Sequence, residues 1–155
     1  EIKSMETDVP LFNDVLEFIE QTNLDLYIGL KTDITEKIVD TVTDYDISGE
    51  IVFISFDTDR LDKVKHDYRT GLVGNLPSEW LLMNAEEEGH NIALPHFSSK
   101  SAMKGFIEEA NKRDIQSGYW ALSSDESDTQ IGVESSPDVI ITNNPKQANA
   151  MLKDD

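Results

Sequence analysis

The sequence predicts an α/β fold in which parallel strands alternate with helices. Short apolar runs recur along the 155 residues, and each is followed by a stretch with apolar residues at helical spacing. The runs begin roughly 20 to 30 residues apart, which is typical of parallel strands joined by right-handed helical crossovers.

Six segments have the composition of buried strands. The clearest is Ile51-Val52-Phe53-Ile54-Ser55-Phe56, in which every residue but the serine is β-branched or aromatic. In chain order, the predicted strands cover 24–30, 51–56, 71–75, 91–95, 116–122 and 138–142.

The helices are predicted from their apolar faces and from the residues that precede them. One helix is expected at 10–21, ahead of the first strand, and one helix is expected to begin at Pro145. The predicted caps are Thr32 or Asp33, Asp57, and Ser98 with Ser99, and a further helix is expected to start near Ser78. The predicted buried faces are Leu11, Val15, Leu16, Phe18 and Ile19; Ile34, Ile38, Val39 and Val42; and Ala102, Met103, Phe106, Ile107 and Ala110.

Periodicity alone leaves two architectures open, an open doubly wound sheet and part of a closed barrel. The chain is shorter than a complete eight-stranded β/α barrel of about 250 residues. Its length and its unbroken pattern predict a single domain over residues 1–155.

The formal net charge of −18 excludes several classes of partner. A strongly acidic surface repels phosphate backbones, so nucleic acid is not expected to bind, and anionic membranes are disfavoured for the same reason. The acidity is interpreted as a source of solubility, with a specific cationic partner as the alternative. The chain has no Cys, which excludes disulfides and thiolate metal sites. The compartment is unknown, and a removed leader or an upstream domain is compatible with the start at Glu1.

Candidate functional residues are those at the carboxyl ends of the predicted strands, where β/α barrels carry their sites. Lys31 follows the first strand and is either a phosphate-binding cation or a solvated strand-end lysine. His96 follows Pro95 and is placed to act as a general base, as a metal ligand or as a structural residue. Trp120 either stacks on a ligand or plugs the barrel mouth.

Other polar groups give weaker signals. The three histidines, His66, His90 and His96, do not have the spacing of a metal site. The run 123–128 has the composition of a calcium site but not the fixed spacing of a calcium loop. The acidic run 86–88 is interpreted as a solvated helix end.

Taken together, the strand ends resemble those of the glycerophosphodiester phosphodiesterase family. The segments that carry the resemblance are Pro10-Leu11-Phe12-Asn13-Asp14-Val15-Leu16, Tyr27-Ile28-Gly29-Leu30-Lys31, Ile54-Ser55-Phe56-Asp57, the strand and helix from 91 to the turn at 111–114, Tyr119-Trp120-Ala121-Leu122 and Val139-Ile140-Ile141-Thr142-Asn143-Asn144-Pro145. They follow the family's order over nearly the whole chain.

The resemblance implies a partial TIM barrel of about six parallel strands, corresponding to the C-terminal two-thirds of the family's fold. It implies metal-dependent hydrolysis of glycerophosphodiesters to glycerol 3-phosphate and an alcohol, with a divalent cation (Ca or Mg) as cofactor. Lys31 then contacts the substrate phosphate and Trp120 forms part of the pocket wall, with His96 and Phe56 as further substrate-binding residues.

The departures from the family's pattern concern catalysis. Gly29 replaces the metal-binding Glu of the family's E-x-K strand, and the family's His-Arg-Gly strand and other acidic ligands lie upstream of this segment. Glu1-Ile2-Lys3 also spells E-x-K but is interpreted as a coincidence. We therefore expect no catalytic residue and no metal ligand in this chain and expect it to be inactive alone. The alternatives are a non-catalytic barrel remnant that binds a ligand or partner, and a chain completed by an upstream membrane domain or by homo-oligomerisation.

Overall fold

The computed structural model describes residues 9–121 and 126–152, with backbone alone for 126–128. In these residues seven helices alternate with six strands. The helices are α1 (Phe12–Glu20), α2 (Thr35–Thr43), α3 (Thr58–Asp62), α4 (Glu79–Glu87), α5 (Lys100–Lys112), α6 (Glu126–Glu134) and α7 (Pro145–Met151). The strands are β1 (Leu26–Gly29), β2 (Ile51–Ser55), β3 (Arg69–Gly74), β4 (Ile92–Pro95), β5 (Gln116–Ala121) and β6 (Val139–Thr142).

The six strands form one sheet whose spatial order is the order of the chain, β1 to β6. Every neighbouring pair is parallel. A doubly wound sheet would reverse its strand order at a switch point, whereas a barrel adds each strand beside the previous one. The order therefore decides between the two predicted architectures, and the sheet is a curled half-barrel with β1 and β6 at its edges.

The two faces of the sheet have different surroundings. Helices cover the outer face, where β1 contributes Leu26 and Ile28 to the largest apolar cluster. The inner face of the curl holds a smaller cluster around Val52, Ile92 and Leu94. The residues packed against this inner cluster are half-buried: Tyr27, Ile54, Val73, Trp120, Val139 and Ile141.

Two of the predicted caps form and others do not. Asp57 and Ser99 each accept a hydrogen bond from a backbone N–H in the first turn of α3 and α5. Ser78, near which a helix was expected to start, caps α4 in the same way. The expectation that Thr32 or Asp33 caps α2 was wrong, because this helix begins at Thr35 after Ile34, without a side-chain cap. Asp33 instead pairs with Lys63, at 2.7 Å between Oδ1 and Nζ.

Three side chains that were expected on buried helix faces are exposed. Leu11, Phe18 and Ile34 have exposed fractions of 71%, 61% and 50%. Leu11 and Ile34 are the N-cap residues of α1 and α2, so they lie beyond the turns that pack on the sheet. Phe18 is separated by one helical position from the buried Ile19, which places it on the solvent side.

Helix α6 was not predicted between β5 and β6. Its apolar residues are few, which explains why no helical stripe is visible in the sequence. The side chains at 123–128 lie outside the described residues, as do Leu122 and Glu1-Ile2-Lys3. Among the helices of the described part of the chain, none is long and apolar enough to cross a membrane.

Candidate site at the carboxyl ends of the strands

The hydroxyl of Ser55 joins the ends of β1 and β2. It donates a hydrogen bond to the Leu30 carbonyl oxygen at 2.9 Å and accepts one from the Asp57 backbone N–H at 3.1 Å. Ser55 is buried, so these bonds hold the two chain segments in a water-poor environment. They fix the backbone immediately before Lys31 and on both sides of Phe56.

Lys31 and Phe56 follow β1 and β2 at the same end of the sheet. Gly29 is in register with Ile54, and the Leu30 backbone N–H donates to the Ile54 carbonyl oxygen at 2.8 Å. Ile54, two residues before Phe56, packs into the inner cluster. Lys31 and Phe56 are both exposed.

Trp120 lies near the end of β5 and is held by the backbone of β3. Its indole Nε1 donates a hydrogen bond to the Gly74 carbonyl oxygen at 3.0 Å, and the His96 backbone N–H donates to the same oxygen at 2.8 Å. The Trp120 carbonyl oxygen in turn accepts from the Phe97 N–H at 2.8 Å. These bonds tie the ends of β3, β4 and β5 together.

Three of the four predicted substrate-binding side chains form an aromatic group. The ring centroids of His96 and Trp120 are 4.4 Å apart, and those of Phe56 and Trp120 are 5.7 Å apart, both with edge-to-face geometry. Such pairs are favourable because the positive edge of one ring meets the negative face of the other. The structure thus brings Phe56, His96 and Trp120 together, and Lys31 lies at the same end of the sheet, two residues after the end of β1.

Gly29 leaves open space at this end of the sheet. A Cβ atom built on Gly29 would have no other heavy atom within 4 Å. The family resemblance implies a metal-binding carboxylate at this position. The position has room for a side chain, but glycine supplies no side-chain oxygen that could bind a metal ion.

The other two histidines lie at the opposite end of the sheet, before their neighbouring strands begin. His90 is buried between α4 and β4, with its Nδ1 atom 3.0 Å from the Thr70 hydroxyl oxygen. His66 is exposed in the turn before β3. Within 9–121 and 126–152, no three His, Asp or Glu side chains are grouped so that they could hold a metal ion.

One group of the candidate site was not indicated by the sequence: the backbone carbonyl group of Gly74. It holds both His96 and Trp120, yet a backbone acceptor has no residue signature. The only sign of this role in the sequence is weak. It is a glycine at the end of a predicted strand, where a side chain would keep other groups away from the backbone.

Solved structures with the same arrangement of strands and helices include two phosphodiesterases. A glycerophosphodiester phosphodiesterase from Agrobacterium tumefaciens str. C58 superposes with a TM-score of 0.71 at 18% identity, over 92% of this chain and 62% of that chain. One from Parabacteroides distasonis ATCC 8503 superposes with a TM-score of 0.66 at 15% identity, over 85% of this chain and 58% of that chain.

The chain shares the fold of these phosphodiesterases. It spans 58% and 62% of the length of these two structures, so it matches a part of a longer barrel. No protein-family model matches the chain, and no curated protein matches it significantly. The likeness is therefore one of three-dimensional structure, and it agrees with the partial barrel implied by the sequence motifs.

Proposed function

We propose that this chain forms the substrate-binding part of a phosphodiesterase that hydrolyses glycerophosphodiesters to glycerol 3-phosphate and an alcohol. In this proposal Lys31 binds the substrate phosphate as a point charge, while Phe56, His96 and Trp120 form a wall against the glycerol or alcohol carbons. The chain alone is expected to bind the substrate without hydrolysing it.

One observation carries the proposal. The fold matches two glycerophosphodiester phosphodiesterases over most of this chain, and all four predicted residues lie at the carboxyl end of its parallel strands. Active sites of β/α barrels are built at this end, from the loops that follow the strands. The hydrogen bonds to Gly74 and Leu30 supply the rigid backbone that such a site needs.

The described residues do not fit the divalent cation that the family resemblance implies. Hard cations such as Ca²⁺ and Mg²⁺ need several oxygen ligands, and Gly29 offers none from a side chain. A cation therefore remains an expectation for a longer protein that adds the missing ligands. No catalytic step is assigned to the residues of this chain.

Binding of glycerol 3-phosphate, measured by titration calorimetry, tests the role of Lys31. Lys31→Ala is expected to weaken binding about tenfold or more, because one charge-assisted contact is lost. Lys104→Ala is the matched control, since Lys104 is an exposed lysine on α5 with a long 4.0 Å contact to Glu108. Equal affinities of wild-type protein and Lys31→Ala would contradict the proposal.

The second candidate function is a non-catalytic barrel remnant that binds a ligand or partner. Gly29 favours it, because a carboxylate is missing where the sequence motif implies one. Incubating a protein that includes the upstream barrel strands with glycerophosphocholine and Ca²⁺ or Mg²⁺ separates the two candidates. Release of glycerol 3-phosphate would exclude the non-catalytic function, whereas binding without release would support it.

A further inference from the structure

Helix α2 begins without a side-chain cap. Its first intrahelical bond runs from the Ile38 backbone N–H to the Ile34 carbonyl oxygen at 3.0 Å, so the N–H groups of Thr35, Glu36 and Lys37 lie ahead of the helical ladder. The N-cap residue is Ile34, whose side chain has no oxygen to accept from them. The start of α2 therefore presents backbone donors together with the positive end of the helix dipole, and both favour an anion.

The hydroxyl group of Thr35 is buried at this helix start and has no hydrogen-bond partner among the described residues. Only 2% of Thr35 is exposed. By contrast, the hydroxyl oxygens of Thr22, Thr41 and Thr70 lie 2.8, 2.7 and 3.0 Å from their partners. A buried hydroxyl that bonds nothing costs free energy, so this one points to a ligand that can accept its proton.

Thr35 is one of the residues that line a polar cleft of about 270 Å³ at the start of α2. The other lining residues are Asp33, Ile34, Glu36, Lys37 and Lys63. Lys37 belongs to the first turn of α2 and Lys63 follows α3, so two helices each bring a lysine to one cleft. The cleft is smaller than the usual pocket for a drug-sized ligand and suits a small anion.

We propose that the start of α2 is a binding site for a phosphate dianion, which is either inorganic phosphate or the phosphate group of a monoester. Lys37 and Lys63 supply positive charge, and the Thr35 hydroxyl and the free backbone N–H groups donate hydrogen bonds to the phosphate oxygens. The site shares no residue with the aromatic group around Trp120. It is therefore a second anion site, and it does not depend on the proposed hydrolysis.

Two carboxylates also belong to the cleft, and one of them is paired with Lys63. The Asp33 Oδ1 atom lies 2.7 Å from the Lys63 Nζ atom, and 76% of the Asp33 side chain is exposed. Such an exposed ion pair contributes little free energy, so the Asp33 carboxylate can return to water when a dianion takes its place on Lys63. Asp33 is thus an internal competitor for the anion. Lys37 and the helix dipole offset the second carboxylate, that of Glu36.

Titration of the isotope-labelled protein with inorganic phosphate, followed by NMR at constant ionic strength, tests the proposal. The backbone amide signals of Thr35, Glu36 and Lys37 should shift and saturate as phosphate is added. The indole N–H signal of Trp120, which is bonded to Gly74, reports separately on the proposed substrate site. Lys63→Ala should weaken phosphate binding at α2 about tenfold. The matched control is Lys104→Ala, which removes an exposed lysine of α5 and should bind phosphate like the wild type.

Thr35→Val separates a ligand contact from a structural role. Valine keeps the shape of threonine and removes only the hydroxyl. In the absence of phosphate the midpoint of urea denaturation should stay the same or rise, because the hydroxyl forms no bond in the free protein. Phosphate affinity should nevertheless fall about tenfold. Thr41→Val is the control in the same helix, since its hydroxyl already donates to the Lys37 carbonyl oxygen, and it should keep the wild-type affinity.

The competition by Asp33 gives a test with the opposite sign. Asp33→Asn should bind phosphate more tightly than the wild type, because Lys63 loses its internal partner. Asp40→Asn makes the same change of net charge at an exposed residue of α2 that does not line the cleft. The gain in Asp33→Asn should therefore be several times the gain in Asp40→Asn.

Three results would overturn the proposal: no saturable shift of the α2 amide signals in the wild type, wild-type phosphate affinity in Thr35→Val, or equal affinities of Asp33→Asn and Asp40→Asn. Phosphate binding is measured without turnover. Shifts at α2 in a protein that hydrolyses no phosphodiester would support this site and contradict only the proposed hydrolysis.

Discussion

The indole N–H of Trp120 and the backbone carbonyl oxygen of Gly74 are joined by a hydrogen bond of 3.0 Å across 46 residues of sequence. The bond connects β5 with β3 past the end of β4, whose next residue, His96, donates to the same oxygen. It therefore fixes the ring against which both Phe56 and His96 pack. The orientation of the proposed pocket wall depends on this one acceptor.

Trp120→Phe should remove this bond while it keeps an aromatic ring in place. Because the Gly74 oxygen still accepts from His96, the loss should stay near the ordinary net value of a hydrogen bond, about 1 kcal/mol in the free energy of unfolding. Binding of glycerol 3-phosphate should weaken as well, since the ring is no longer oriented. Urea denaturation and calorimetry measure the two effects, with the exposed Trp80→Phe as control; an unchanged affinity would remove Trp120 from the proposed site.

Substitution by alanine should lower the stability of the protein at Gly118 but not at Gly29. A Cβ on Gly118 would overlap the Leu94 side chain and come within 3.0 Å of the Val139 carbonyl oxygen, whereas a Cβ on Gly29 meets nothing. Gly118→Ala should therefore destabilise the protein by about 1–3 kcal/mol through overpacking. Gly29→Ala should be neutral or should stabilise it by up to about 1 kcal/mol, because alanine restricts the unfolded chain. Equal midpoints of the two variants in urea denaturation would contradict this difference.

His90 should make stability depend on pH in the weakly acidic range. Burial lowers the pKa of its imidazole below the ordinary value, and the nearby Lys65 lowers it further. At a pH between the folded-state and unfolded-state pKa values, His90 is protonated in the unfolded chain but neutral in the folded protein. Stability is therefore fully present above the ordinary pKa of about 6.5 and is lost as the pH falls from there toward the folded-state pKa.

The measurement is the free energy of unfolding between about pH 7 and pH 5, the range in which histidine titrates. His90→Gln should flatten the pH dependence, whereas His66→Gln, which changes an exposed histidine, should leave the wild-type slope. A slope that is the same in all three proteins would show that His90 is not the titrating group.

Arg113 should hold α4 against α5. Its guanidinium group lies 2.7 Å from Glu86, 3.2 Å from Glu79 and 3.3 Å from Glu109, and the first two belong to α4. Arg113→Met keeps the aliphatic stem and removes the charge, so the melting temperature should fall, by less than in Gly118→Ala. The effect should shrink at high salt because these pairs are partly exposed. Lys104→Met, with its long 4.0 Å pair within α5, is the control and should leave the melting temperature nearly unchanged.

The strand ends were predictable because their signals are local. The predicted strands that end at Leu30, Phe56, Pro95 and Thr142 end within one residue of β1, β2, β4 and β6 of the structure. Asp57 and Ser99 are predictable caps because the first turn of a helix leaves backbone N–H groups that a nearby side-chain oxygen can accept. In α2 the same argument failed: Asp33 does not cap the helix and instead pairs with Lys63, the residue that follows α3, 30 residues away in sequence.

The exposure of particular apolar residues was less predictable. A helical stripe tells which residues share a face but not where along that face the packing ends, so Leu11 and Ile34 were expected to be buried. They are the N-cap residues of α1 and α2 and lie beyond the turns that pack on the sheet.

By itself, the sequence determined the alternation of parallel strands and helices and placed Lys31, Phe56, His96 and Trp120 at the strand ends. These properties follow from periodicity and from the chemistry of single residues, which act over a few positions. The tertiary structure alone decided the strand order and the shared hydrogen-bond acceptor at Gly74. These depend on which distant surfaces meet, and that is settled by packing among residues far apart in the chain.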